Sequence, residues 1–206
     1  MPLNKLDSKN KFIAIQLGSR EYYSIPRSLF LTNNLSCLIT DLWISNKIPS
    51  FNLYFLKKLL LKFHPDLKNA QIYTPSIIWH FKNQLTSLIV KKSWDRIILK
   101  NKNFQKYSTS VLKGLASDMD DNTFIFSYSY TALKAFEKAK LYSAKTILGQ
   151  IDPGPEEEKL VAKEHKRFSY ILSNWERAPL IYWKNWEKEI ELSDKIVVNS
   201  EWSYNC

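Results

Sequence analysis

Short runs of apolar residues alternate along the chain with longer segments in which apolar residues recur every three or four positions. The short runs are typical of buried strands, and the longer segments are typical of helices with one buried face. Strands that alternate with helices favour an α/β fold, here a Rossmann-like parallel sheet with flanking helices. Strands are predicted at 12–17, 35–40, 71–73, 123–128, 145–150 and 194–200, and helices at 21–31, 51–63, 77–89, 94–115, 131–142, from 156 onward and at 174–192.

Two positions bear on where helices begin. Pro26 lies inside the first predicted helix, so this helix either begins near Pro26 or is kinked there. Ser200 directly precedes Glu201 and is a typical N-cap, which predicts one more helix after the last strand.

Length and composition favour a single domain that spans 1–206. Of the 206 residues, 45% are hydrophobic and 24% are charged, and no repeat or flexible linker divides the chain. Cys37 and Cys206 suggest neither a disulfide framework nor a metal site. No apolar stretch reaches the roughly 18 residues of a membrane span, and the first apolar run predicts a strand rather than a signal peptide. We therefore expect a cytoplasmic protein.

The formal net charge of +10 favours anionic partners such as nucleotide phosphates or lipid headgroups. The predicted helix at 51–63 carries Lys57, Lys58 and Lys62 opposite an apolar face. Such a helix either contacts an anionic membrane peripherally or packs on the core with its lysines in solvent. The sequence contains no RRM, KH or helix-turn-helix signature, so nucleic acid is not an expected partner.

Candidate binding residues follow the predicted strands, because ligands of open parallel sheets bind beyond the carboxyl ends of the strands. Each candidate also has a structural alternative. The first loop could be an ordinary glycine turn, and in the other three loops Ser129 or Thr131, Asp152, and Ser200 could simply cap the helix that follows. The candidates are Gly18, Ser19, Arg20, Tyr128, Ser129, Asp152 and Glu201.

Several kinds of site are excluded by spacing. His64, His80 and His165 are scattered without metal-ligand spacing, so no metal is expected. The chain has no G-x-G-x-x-G, no Walker lysine and no G-x-S-x-G nucleophile elbow. A dinucleotide cofactor and a hydrolase triad are therefore not expected.

An ordered series of motifs resembles one known family. It comprises GSREYYSIPRSL, TDLW, HPDLKNA, FSYSYTAL, TILGQIDPGPEEEKLVAKE and WEKEIELSDKIVVNSEWS. Together these are similar to the N-terminal domain of family 4 glycosyltransferases, which have the GT-B fold. The resemblance runs through nearly the whole chain, and GQIDPGPEEE and LSDKIVVNSEWS are its most specific stretches.

The resemblance implies transfer of a sugar, with retention of configuration and without a metal, from a nucleotide-sugar donor to an acceptor hydroxyl on a saccharide or lipid-linked acceptor. It places 18–20 near the donor phosphates and the acceptor, and it brings Tyr128 and Ser129 into the same cleft. Asp152 and Glu201 would flank the acceptor channel. Many relatives carry a histidine in the loop after the strand at 123–128, where this sequence has none.

A GT-B enzyme holds its donor nucleotide mainly on a second Rossmann-like domain, and this sequence matches only the first. The resemblance therefore implies that these 206 residues supply the acceptor side and are inactive alone. The alternative is a non-catalytic module, derived from such a domain, that binds a saccharide, a membrane surface or a protein partner.

Overall fold

The computed structural model describes residues 10–44, 62–90, 92–170 and 175–205. Almost all of the predicted helix at 51–63, including Lys57 and Lys58, lies outside these residues, as does Cys206.

One parallel sheet forms the centre of the fold. Its strand order is β3-β2-β1-β4-β5-β6, and every neighbouring pair is parallel. This order and the flanking helices give the Rossmann-like α/β fold that the sequence predicts. The strands are β1 (Lys11–Gln16), β2 (Leu35–Thr40), β3 (Ile72–Tyr73), β4 (Thr123–Tyr128), β5 (Lys145–Gln150) and β6 (Lys195–Val198).

Helices follow or connect the strands along the described chain. Short 3-10 segments at Arg20–Tyr23, Pro65–Leu67 and Ala116–Asp118 add single turns. The helices are α1 (Ser24–Leu31), α2 (Ile77–Ile89), α3 (Ser93–Gly114), α4 (Leu133–Leu141), α5 (Pro155–Arg167), α6 (Leu180–Glu191) and α7 (Glu201–Asn205).

Proline sets the start of two helices. Pro26 occupies the first turn of α1, where a backbone N–H has no partner within the helix, so the lack of this group in proline costs nothing. Of the two predicted alternatives, α1 therefore follows the first and begins near Pro26. The helix predicted at 174–192 begins only at Leu180, because Pro179 is its extended N-cap. The prediction is therefore wrong for 175–179, where the residue before a proline also avoids the helical region.

The sheet is covered on both faces. Ile13 and Ile15 pack towards α3 and α4, whereas Ala14, between them, packs with Tyr23 and Leu67 on the other face. Cys37 lies in the first of these clusters, and burial raises the pKa of its thiol to about 12, so it acts as a packing residue. No helix within the described ranges is both long and apolar enough to cross a membrane.

Candidate functional site

The strand order reverses direction between β1 and β4, and ligands of open α/β sheets bind at such a switch point. A cavity of about 220 Å³ lies at the carboxyl end of these two strands. We call it the switch-point cavity. Four of the residues predicted from the sequence line it together: Arg20, Tyr128, Ser129 and Asp152.

The turn after β1 is fixed from two sides. Gly18 has a φ of 79°, a left-handed conformation that suits glycine, and its N–H donates to Asp41 Oδ1 at 2.7 Å. The side-chain amide of Gln16 donates to the carbonyl oxygens of Gly18 and Arg20 at 3.2 and 2.9 Å. Gly18 and Ser19 are not among the lining residues of the cavity. They form the turn, and Arg20 projects from it.

Arg20 and Tyr128 form one side of the cavity. The guanidinium carbon of Arg20 lies 5.2 Å from the centroid of the Tyr128 ring, within the range of a cation–π contact. The Tyr128 hydroxyl donates to Glu21 Oε2 at 3.2 Å. Burial, and next the negative charge of Glu21, raise the pKa of Tyr128 above its ordinary value, so this phenol stays protonated.

Ser129 lines the cavity and carries a buried polar atom. The residue is only 3% exposed, and its Oγ has no hydrogen-bond partner among the described residues. A buried hydroxyl without a partner costs about 1–3 kcal/mol. The structural alternative of capping by Ser129 or Thr131 is wrong, because the Thr131 hydroxyl donates to the carbonyl oxygen of Tyr128 and Glu189 caps the helix.

Asp152 stabilises the turn before α5 but does not cap this helix, whose N-cap residue is Gly154. Its Oδ1 accepts from the Gly154 N–H at 2.8 Å, which stabilises the turn before α5, and from the Tyr130 hydroxyl at 2.5 Å. Its Oδ2 accepts no hydrogen bond from the residues that the structure describes. Asp152 can therefore hold the turn with one oxygen and offer the other to a ligand in the cavity.

Glu189 of α6 holds the loop between β4 and α4. Its Oε2 accepts from the Tyr130 N–H at 2.6 Å, and its Oε1 accepts from the N–H groups of Ala132 and Leu133, both at 2.9 Å. The side chain is fully buried, and burial raises its pKa from 4.5 to about 7 against the lowering effect of these three hydrogen bonds. This role could not be predicted from the sequence, because Glu189 lies in a segment rich in Lys and Glu.

Aromatic rings extend the cavity on the side of α6. Tyr130 and Tyr182 stack with their centroids 4.6 Å apart, and Trp94 and Trp183 meet Tyr182 edge-on. A second hollow of about 220 Å³ shares Tyr130, Asp152 and Tyr182 with the cavity. We call the rings of Trp94, Tyr130, Tyr182 and Trp183 the aromatic wall. Tyr182 and Trp183 were not among the predicted site residues, although aromatic residues are abundant in the segment around α6.

Trp183 is fixed by a carboxylate on the neighbouring helix. Glu158 of α5 accepts from the indole N–H of Trp183 at 3.1 Å through Oε2 and from the Ala178 N–H at 2.5 Å through Oε1. One carboxylate thus joins α5, the segment before α6, and the aromatic wall.

Glu201 lies apart from the residues of the switch-point cavity. It is exposed at the start of α7, beyond β6, and is not among the residues that line the cavity. Ser200 Oγ accepts from the Ser203 N–H at 3.1 Å, so the N-cap predicted at Ser200 is confirmed. A role of Glu201 in an acceptor channel stays a prediction.

A neighbouring hollow of about 200 Å³ shares Leu17 and Ile97 with the cavity and contains His80 and Asp41. Burial lowers the pKa of His80, and Asp41 opposes this effect. Within the described ranges, no group of three or more His, Cys, Asp or Glu side chains is arranged to hold a metal ion.

Comparison of the sequence with protein-family models finds no matching model, and comparison with curated proteins finds no match. The proposal for function therefore rests on the resemblance of the motifs and on the geometry of the switch-point cavity.

Proposed function

We propose that this chain forms the acceptor side of a retaining glycosyltransferase, which transfers a sugar from a nucleotide-sugar donor to an acceptor hydroxyl. One observation carries the proposal. One cavity at the switch point of the sheet is lined by Arg20, Tyr128, Ser129 and Asp152, which were predicted from the sequence and lie at or after the carboxyl ends of three different strands.

The lining groups suit a saccharide. Ser129 Oγ and Asp152 Oδ2 are two polar atoms with unused hydrogen-bonding capacity, and sugar hydroxyls both donate and accept. Trp94 and Trp183 of the aromatic wall add apolar surface to the second hollow beside them. A volume of about 220 Å³ is below the roughly 300–1,000 Å³ of pockets for drug-sized ligands. The cavity therefore fits one sugar residue better than a complete nucleotide sugar.

The same geometry supports a role in transfer. Asp152 Oδ2 would accept a hydrogen bond from the acceptor hydroxyl and orient it, with Tyr130 fixing the carboxylate through Oδ1. Arg20 is exposed at the rim of the cavity, where its guanidinium would stabilise the negative charge of the departing diphosphate. In a retaining transfer the acceptor attacks from the side on which the diphosphate leaves. Because Arg20 and Asp152 line the same cavity, the leaving diphosphate and the acceptor hydroxyl would lie on the same side of the donor sugar.

Binding of the acceptor sugar is tested by titrating the protein with neutral mono- and oligosaccharides and following tryptophan fluorescence. We expect Asp152→Asn to weaken binding by roughly tenfold, because hydrogen bonds to charged groups contribute about 1.5–3 kcal/mol. Asp121→Asn is the matched control, since Asp121 is exposed and distant from the lining residues. Equal saccharide affinity for the two variants would contradict the proposed site.

The donor side is tested with nucleoside diphosphates. We expect Arg20→Gln to weaken nucleoside diphosphate binding and to leave saccharide binding within about twofold, because the guanidinium offers a charge and several donors to phosphate. Equal diphosphate affinity for Arg20→Gln and the unchanged protein would contradict the assignment of Arg20 to the leaving diphosphate.

A further inference from the structure

A groove lies between α3, α4 and α6, next to the switch-point cavity. Its volume is about 680 Å³, three times that of the cavity. We call it the lysine groove after the five lysines that line it: Lys102, Lys106, Lys113, Lys134 and Lys188.

The lysine groove has a strong excess of positive charge. Lys134 pairs with Glu137 at 2.8 Å, and Glu137 is the one acidic residue among the lining side chains. The other four lysines are exposed and form no ion pair with any residue in the described parts of the chain. Four positive charges thus face one concave surface without a counter-ion from the protein, and such a surface attracts anions.

The lysines are arranged along a line. Lys102, Lys106 and Lys113 lie on one face of α3, and the rise of about 1.5 Å per residue separates the first from the last by about 16 Å. Lys134 and Lys188 face them from α4 and α6. Apolar side chains, among them Ile98, Leu133 and Ile181, lie between the charges. This arrangement suits an elongated ligand that carries several anionic groups.

The lysine groove adjoins the switch-point cavity. Asn101, Tyr130 and Tyr182 line both. One elongated molecule can therefore place its end in the cavity and the rest of its length in the groove.

We propose that the lysine groove binds the chain of an anionic glycan, whose terminal sugar occupies the switch-point cavity as the acceptor. This inference rests on the proposed function and names its acceptor class: a saccharide chain with carboxylate or phosphate groups along its length. Each lysine offers a charge and three donors to such groups.

The shape of the groove favours a glycan over other polyanions. A membrane surface is flat on this scale and would not enter a concave groove between three helices. Single-stranded nucleic acid needs aromatic faces on which successive bases stack. The aromatic residues that line the groove are Tyr130 and Tyr182, and these stack on each other at one end.

The test uses two matched pairs of hexasaccharides and isothermal titration calorimetry. Oligogalacturonate is compared with its neutral methyl ester, and phosphorylated maltohexaose is compared with maltohexaose. At low ionic strength we expect the anionic member of at least one pair to bind about tenfold more tightly, and added salt to reduce this preference.

Two double variants with the same change in net charge locate the effect. Lys102→Glu with Lys106→Glu is expected to abolish the preference for the anionic hexasaccharide over its neutral counterpart. Lys163→Glu with Lys184→Glu is the control, because both lysines are exposed and neither lines the groove. This control is expected to keep the preference.

Three results would overturn the inference. The first is equal affinity for the anionic and neutral members of both pairs, and the second is an equal loss of the anionic preference in the control variant. The third is lysine-dependent binding of phosphatidylglycerol vesicles or of an oligonucleotide that is tighter than binding of the anionic glycan. The proposed function fails separately. Asp152→Asn could leave every hexasaccharide affinity unchanged while the lysine-dependent preference persists. The groove would then still bind anionic glycans, but the assignment of the switch-point cavity as the acceptor site would be wrong.

Discussion

At the scale of single residues, Glu189 determines the shape of the candidate site. Its buried carboxylate accepts three backbone hydrogen bonds at the N-terminus of α4, where an N-cap side chain would ordinarily serve. One of the three donors is Tyr130, which has a φ of 73° and therefore depends on its surroundings to hold that conformation. Glu189 thus positions Tyr130, and through it Asp152, from the far side of the loop.

The raised pKa of Glu189 predicts a pH dependence of stability. The folded protein binds the proton of the Glu189 carboxyl more tightly than the unfolded chain does. The resulting stabilisation of the folded state is fully present below pH 4.5 and is lost as pH rises to about 7. The loss should amount to roughly 3 kcal/mol in the free energy of unfolding. Chemical denaturation between pH 4.5 and 8 should show this decline in the natural protein, whereas Glu189→Gln should remove it.

The control for this prediction is Glu187→Gln on the same helix, where the side chain is exposed. It should leave the pH profile unchanged. A profile for Glu189→Gln that matches the natural protein across this pH range would mean that Glu189 is ionised throughout, held by the helix N-terminus.

Position relative to strands allowed part of the site to be predicted. Arg20, Tyr128, Ser129 and Asp152 were predicted because they lie at or shortly after the carboxyl ends of strands. Parallel strands bring such positions to one edge of the sheet. Glu189 could not be found in this way, because its role depends on packing α6 against the start of α4. Asp41 was missed for a similar reason: only the fold shows that it accepts from Gly18.

At the scale of elements, the segment between β1 and α1 is the most strained. Glu21, Tyr22 and Tyr23 have φ values of 50°, 49° and 61°, so three consecutive residues with side chains adopt the left-handed conformation. This costs about 1–2 kcal/mol per residue. The turn places Glu21 within hydrogen-bonding distance of Tyr128, which links the strained element to the cavity.

Relief of this strain should stabilise the protein. Tyr22 is 65% exposed, so Tyr22→Gly loses little burial and removes the steric penalty at one position. We expect a gain of about 0.5–1 kcal/mol and a rise in Tm of roughly 2–4 °C per kcal/mol. Differential scanning fluorimetry measures the shift.

The paired variant is Ser28→Gly, at an exposed position of α1 with ordinary right-handed geometry. There glycine should lower stability by a few tenths of a kcal/mol. Tm shifts of the same sign for both variants would show that the left-handed turn is not strained.

Elements with strong periodicity were predicted well. β2, β4 and β5 begin and end at the predicted residues, because their apolar runs are bounded by polar or turn-forming residues. The start of α6 was misplaced because aromatic residues in 174–192 satisfy helical spacing, while a single proline decides where the helix can begin. The left-handed turn gives no signal in the sequence, since it contains no glycine.

At the scale of the whole molecule, stability should be unevenly distributed across the sheet. In the centre, Ala14, Ile15 and Ile125 are completely buried, with helices on both faces. At one edge, Ile196 and Val197 of β6 are 44% and 51% exposed, and among the described strands β6 pairs only with β5. The switch-point cavity opens between the two central strands, so its walls stand on the most deeply packed part of the fold.

Native-state hydrogen exchange followed by NMR tests this distribution. We expect amides of β1 and β4 to exchange only through global unfolding, and those of β6 to exchange at least about tenfold faster through local opening of the edge. Val197 and Ile125 are a suitable pair, because both are β-branched residues in strands but differ in burial. Equal protection of the two would mean that β6 opens only with the whole sheet. Faster exchange at β6 would instead mean that the edge of the sheet opens while β1 and β4 stay folded. Arg20 and Tyr128, at the ends of these two strands, would then keep their positions, as a preorganised binding site requires.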